Sequence, residues 1–134
     1  MIESKQLIEN FYANFQQKNW KGMQACYHHE VIFADPVFRN LKGGEAKAMW
    51  HMLTTSGKDL AVSFQNIQAD GVIGSCDWDA HYTFSLTGRK VHNIIHARFE
   101  FKDGKIARHT DSFNLWRWSG MALGISGTLL GWSP

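Results

Sequence analysis

The stretch Trp78-Asp79-Ala80-His81-Tyr82-Thr83-Phe84-Ser85-Leu86 decides the fold class. Trp78, Ala80, Tyr82, Phe84 and Leu86 alternate strictly with polar residues, so one edge of the run is apolar and the other is not. Successive strand side chains point to opposite faces, and this pattern therefore reads as a half-buried β-strand of an antiparallel sheet. The next run repeats the reading. Val91, Ile95, Ala97, Phe99 and Phe101 share one face, while His92, His96, Arg98 and Glu100 share the other. Thr87-Gly88 turns the chain between the two runs. Asp103-Gly104 is a hairpin signal, and Ile106 to Trp118 reads as the last long strand. On the N-terminal side, Ala61 to Ala69 forms the first strand of this meander and Asp70-Gly71 its turn.

Before Leu60 the period changes. Leu7, Ile8, Phe11, Tyr12 and Phe15 recur at the three-and-four spacing of a buried helix face. Asn19 can cap a second helix in which Trp20, Met23 and Tyr27 repeat the spacing, with His28-His29 pointing apart on the same helix. Val31 to Phe38 is a short edge strand that bends or ends at Asp35-Pro36, because proline removes a ladder donor. Gly43-Gly44 leads into a third helix with Ala46, Met49, Trp50 and Leu53 on one face and Gly57 near its end. Three helices followed by a meander imply an α+β fold with the helices packed on one sheet face.

The length of 134 residues suits one domain, 1–134, whose apolar, glycine-rich tail runs from Ser119 to Pro134. A hydrophobic share of 44% supplies a core without disulfide or metal staples. Six Trp, nine Phe and three Tyr provide rings that can wall a ligand pocket as well as fill a core. The formal charge is +2, and no basic run exceeds two residues, so the footprint of a nucleic-acid binder is missing. No apolar run reaches the length of a membrane span. Cys26 and Cys76 read as free buried thiols, and the polar residues after Met1 do not form a secretory leader, so a cytoplasmic location is expected.

Leu7-Ile8-Glu9-Asn10-Phe11, Gly22-Met23 and Val31-Ile32-Phe33-Ala34-Asp35-Pro36-Val37 resemble the start of bacterial ketosteroid isomerases. Gly88-Arg89-Lys90 through Phe99-Glu100-Phe101 resembles them too. Gly104-Lys105-Ile106 through Arg108-His109-Thr110-Asp111 is closer to the SnoaL-like polyketide cyclases. Both groups belong to the nuclear transport factor 2-like superfamily. The resemblance implies a cone-shaped fold with a strongly curved, mixed, mostly antiparallel sheet, and an apolar cup that holds a small molecule. It implies an acid/base isomerase, cyclase or lyase that needs no cofactor. A non-catalytic hydrophobic-ligand binder or dimerising scaffold remains the other reading, because one fold hosts both.

Carried over by position, the isomerase base matches Asp35. Its oxyanion tyrosine falls on Phe11 and its protonated aspartic acid on Ala97, so both hydrogen-bond donors are absent. Loss of one such donor typically costs about 10²–10³ in rate, and isomerase activity proper is therefore not carried over. Tyr12 sits about 100° round the helix from Phe11 and is not expected to substitute. The cyclase acid/base matches Asp111, with His109 two residues earlier on the same strand face. The expected catalytic residues are Asp35, His109 and Asp111, and the expected ligand walls are Phe11, Tyr12, Phe33, Trp50, Trp78, Ala97, Phe99 and Phe113. His81, His92 and His96 fall on the outer sheet face, where a homodimer contact is expected. His92 and His96 lie about 13 Å apart along one strand, too far to share an ion, and no metal site is expected.

Overall fold

The computed structural model describes residues 3–124. Its elements are α1 (Ser4–Gln16), α2 (Trp20–Ala25), β1 (Tyr27–Ala34), β2 (Leu41–Lys42), α3 (Gly44–Ser56), β3 (Ala61–Ala69), β4 (Ile73–Phe84), β5 (Arg89–Lys102), β6 (Lys105–Ser112) and α4 (Leu115–Leu123). The six strands form one sheet in the order β2-β1-β6-β5-β4-β3. Only β1 and β6 pair in parallel. Register shifts between Gln65 and Gln68 and between Glu100 and Phe101 bend the strands, which together with the native twist curves the sheet around α1.

The α1 spacing is used in full. Leu7, Ile8, Phe11, Tyr12 and Phe15 are all buried in one cluster with Trp50, Trp78, Ile95, Ala97 and Phe99. Each such side chain contributes roughly 1.5–3 kcal/mol by leaving water. The helix comes close enough to the sheet that a Cβ on Gly74 would stand 2.9 Å from Ile8 Cδ1 and 3.0 Å from Phe101 Cζ. Asn19 caps α2 as expected, its side chain accepting from the Gly22 N–H at 3.2 Å. The Asp103-Gly104 hairpin has φ of 54° and 74°, the paired positive values that a two-residue turn of this hand demands.

Four expectations are corrected. Tyr27 opens β1 instead of closing α2, and His28 and His29 lie on that strand rather than on a helix. The helix stops at Ala25 because the next residues join the sheet, Ile106 donating its N–H to the Cys26 carbonyl. β1 is not an edge strand: it lies between β6 and the two-residue β2, and Pro36 falls past its end where no ladder donor is lost. The last strand ends at Ser112 rather than Trp118. Asn114 then caps a fourth helix by accepting from the Arg117 N–H at 3.1 Å. Leu86 sits in the turn after β4 with 84% of its surface exposed, so it does not extend the apolar face.

α4 packs against β5. Trp118 stacks edge-on against Phe84 with centroids 5.5 Å apart, Arg89 Nε donates to the Met121 carbonyl at 2.9 Å, and Thr87 Oγ1 donates to the Ala122 carbonyl. The first part of the apolar tail therefore docks on the sheet, and the rest of it lies outside the described residues. Cys26 and Cys76 are free and buried, and burial pushes their thiols up to about 11 and about 12. No helix among the described residues is long and apolar enough to cross a membrane.

Candidate active site

A buried chain of hydrogen bonds crosses the core. Trp50 Nε1 donates to the Tyr27 hydroxyl at 2.7 Å, and that hydroxyl lies 2.7 Å from His109 Nδ1. His109 Nε2 lies 2.9 Å from Asp111 Oδ1, which also receives Trp78 Nε1 at 3.3 Å. His109 is fully buried and Asp111 is 4% exposed. An indole N–H can only donate, so the Tyr27 oxygen accepts from Trp50. With the Tyr27 proton directed at His109 Nδ1, the imidazole carries its proton on Nε2 and donates to Asp111. Burial holds the Tyr27 hydroxyl well above the usual tyrosine range despite the Trp50 hydrogen bond, so it keeps that proton.

Four elements place its five members. β6 alternation puts His109 and Asp111 on the inner face, and the parallel pairing of β1 with β6 brings Tyr27 alongside. α3 supplies Trp50 and β4 supplies Trp78. Rings enclose the imidazole: Phe99 at 4.6 Å, Phe33 at 5.0 Å, Phe11 at 5.4 Å and Trp50 stacked at 5.9 Å between centroids. Trp78 and His109 both meet Asp111 on Oδ1.

Tyr12 lies in the same interior. Its ring packs on Trp78 and Phe64 with centroids 5.7 and 5.5 Å apart. Its hydroxyl is the one buried side-chain polar atom among the described residues with no hydrogen-bond partner. Burial first, and then the Asp111 charge, keep the hydroxyl protonated far above the usual range. As the α1 spacing implies, Tyr12 and Phe11 are both fully buried.

Asp35 lies one residue beyond the Ala34–Thr110 pairing of β1 with β6, level with the end of β6 that carries Asp111. Its Oδ1 accepts from the Val37 and Phe38 N–H groups at 2.7 and 2.6 Å, so it shapes the turn before Pro36. Desolvation raises its pKa, the two backbone hydrogen bonds lower it, and Asp111 raises it further. The structure thus brings Asp35 within electrostatic range of Asp111 and His109, but not into a hydrogen bond with either. Its charge also raises the half-buried Tyr82 hydroxyl, after burial, while Trp118 Nε1 donates to that hydroxyl at 2.7 Å.

Of the expected wall, Phe11, Tyr12, Phe33, Trp50, Trp78, Ala97 and Phe99 are buried in one cluster, with half-buried Phe113 packed on it. Ala97 pairs directly with Asp111 across β5 and β6 and brings no donor. Tyr27 is the relay member the sequence reading missed, since an aromatic four residues after Met23 fits a helix as well as a strand. An open groove of about 840 Å³ lies elsewhere, among Ser75, His96, Arg98, Glu100 and Arg108, and neither Asp35, His109 nor Asp111 lines it.

A family model described as the SnoaL-like domain matches residues 8–109. The chain belongs to the SnoaL-like domain family. The match runs from within α1 to His109 and includes Tyr27, Trp50, Trp78 and His109 of the relay. Comparison with curated proteins by sequence gives no match. Among solved structures, a candidate polyketide cyclase from Pseudomonas putida KT2440 superposes with a TM-score of 0.76 at 20% identity, over 91% of this chain and 99% of that one. A protein of ketosteroid isomerase-like fold from Catenulispora acidiphila, in complex with trimethylamine, gives 0.74 at 8% identity over 87% and 91%. TerC co-crystallised with polyporic acid gives 0.72 at 17% identity over 87% and 95%. At these identities the likeness is one of fold.

Proposed function

We propose that this SnoaL-like protein is a cofactor-independent acid/base enzyme acting on a small, largely apolar carbonyl compound. The observation that carries the reading is the buried relay, which runs from Trp50 through Tyr27 and His109 to the Asp111 carboxylate. A carboxylate in this position costs folding energy that an apolar residue would not, and a proton-transfer role accounts for its retention. Asp111 takes the proton from the carbon next to the carbonyl and returns it to a different carbon, or to the product of ring closure. His109 donates to Asp111 from Nε2 and fixes its orientation, and Tyr27 fixes the tautomer of His109. The unpartnered Tyr12 hydroxyl supplies the hydrogen bond to the developing enolate that Phe11 and Ala97 cannot. Asp35, with half-buried Tyr82, Phe113 and Trp118, marks the rim by which substrate enters. TerC, of the same fold, was co-crystallised with a small molecule, polyporic acid, which supports a small-molecule substrate.

A second reading has its own observation. Phe11, Trp50 and Trp78 fill the interior, as expected of a scaffold that has kept the core and lost the chemistry. Solvent-deuterium exchange separates the two. A panel of cyclic ketones and β-dicarbonyl compounds incubated with the protein in D₂O is expected to yield at least one compound that exchanges its α-protons faster with wild type than with His109→Ala. Equal exchange with both proteins across the panel supports the scaffold.

A further inference from the structure

The outer face of the sheet carries a second cluster that the interior relay does not use. On β4 and β5 the register pairs His81 with His92 and Asp79 with Ile94, which sets two imidazoles and a carboxylate side by side on the solvent face. His92 Nε2 lies 2.8 Å from Asp79 Oδ2, and His81 Nε2 lies 3.7 Å from the same oxygen. The two rings stack with centroids 3.8 Å apart and planes 12° from parallel. All three ligand atoms fall within 4.8 Å of one another.

We propose that Asp79, His81 and His92 form a binding site for a divalent transition-metal ion of the zinc class. Two imidazole nitrogens and one carboxylate oxygen suit Zn²⁺, Co²⁺ or Ni²⁺, whereas Mg²⁺ and Ca²⁺ prefer all-oxygen shells. Ligands on a tetrahedral ion with bonds of about 2.0–2.1 Å stand about 3.4 Å apart, so the ligand atoms are near the required spacing and the two stacked rings must turn out of parallel to aim both Nε2 atoms at one ion. Only one of the two His–Asp approaches is a hydrogen bond, since 3.7 Å is too long for one. His81 Nε2 therefore stands near Asp79 Oδ2 without a hydrogen bond to it. The ligands stand on two long paired strands, and the Arg117 guanidinium holds the His92 carbonyl at 2.7 Å, so the backbone beneath them is fixed. In the single chain His81 is exposed and His92 and Asp79 are partly so, which leaves the outer coordination position open.

Two neighbouring clusters fit less well. His96 is hydrogen-bonded to Asp77 at 2.6 Å, and Asn66 also occupies Asp77. His28, in the group with His29 and Glu30, already accepts the Glu30 N–H on Nδ1 and faces Asp103 with Nε2.

The test uses untagged, chelator-treated full-length protein titrated with ZnCl₂ by calorimetry, and with CoCl₂ by visible absorption. One equivalent of Zn²⁺ is expected, with affinity lowered about tenfold or more in each of His81→Ala, His92→Ala and Asp79→Asn. His96→Ala and His29→Ala are expected to bind as wild type does. The cobalt complex should show the visible bands of a four-coordinate nitrogen- and oxygen-ligated ion, and lose them in His92→Ala. No uptake by wild type overturns the proposal, as does uptake that persists in His81→Ala and His92→Ala and disappears in His29→Ala. Circular dichroism of each variant confirms that the fold is retained, which is expected because the three side chains lie on the surface.

Discussion

Tyr27→Phe removes one oxygen atom and breaks two buried hydrogen bonds. Trp50 Nε1 then has no acceptor and His109 Nδ1 no donor, since both bonds at 2.7 Å run to the same hydroxyl. A buried polar group left without a partner costs about 1–3 kcal/mol. Two such groups set an upper range, and the variant regains part of it because a phenyl ring has no hydroxyl to desolvate. A net loss of about 2–4 kcal/mol is expected on that basis. Unfolding entropy near the midpoint is about 2.1 cal/mol/K per residue. Over 134 residues that is roughly 0.28 kcal/mol/K, so the midpoint should fall by about 7–14 °C. Urea unfolding gives the free energy directly, and the cycle Tyr27→Phe, His109→Ala and the double variant isolates the coupling between the two residues. A single-variant loss within about 0.5 kcal/mol of zero, the size of an ordinary surface change, would refute the claim that the relay is assembled and dry.

Asp35→Asn tests the carboxylate at the rim. A folded-state pKa above the unfolded value means Asp35 adds stability below the unfolded pKa and loses it as pH rises through the folded one. The asparagine oxygen can keep the two backbone hydrogen bonds, so the variant should match wild type in acid and become the more stable protein as pH approaches neutrality. Thermal melts at pH 3 and pH 7 check this, and a variant less stable at pH 7 would contradict it. Asn114→Ala removes the cap of α4 and should cost about 1 kcal/mol, with faster amide exchange confined to α4. Unchanged exchange there would show that docking on β5 alone holds the helix. We also propose a homodimer through the mixed polar outer face around the exposed Ile94, and expect a light-scattering mass near twice the 15.3 kDa of the chain. A mass near 15.3 kDa at micromolar concentration would count against it.

What the sequence discloses and what it hides follow from range. The α1 stripe and the alternation of β4 and β5 are local patterns, and every residue of the Leu7–Phe15 stripe is buried as its spacing requires. His109 and Asp111 are also a local pair, two apart on one strand, and their meeting was legible. Tyr27 was not, because its role depends on β1 pairing in parallel with a strand that begins 78 residues later. The His81–His92 pair escaped for a related reason: distance along one strand says nothing about register across a hairpin. The burial of Tyr12 was legible in the α1 stripe, whereas the curvature of the sheet around it, with bulges at Asn66 and beyond Glu100, was not. The end of β6 was a local error, since Asn114 followed by an apolar run is itself a helix start.

The most direct test of the account is Asp111→Asn, measured for binding and exchange on the same compound. Asparagine keeps the shape and can still accept from His109 and Trp78, but it cannot take a proton from carbon. For a ketone that wild type exchanges in D₂O, the account predicts affinity within a few-fold of wild type and an exchange rate lower by about 10²–10⁴. An exchange rate equal to that of wild type, at equal occupancy, would contradict it.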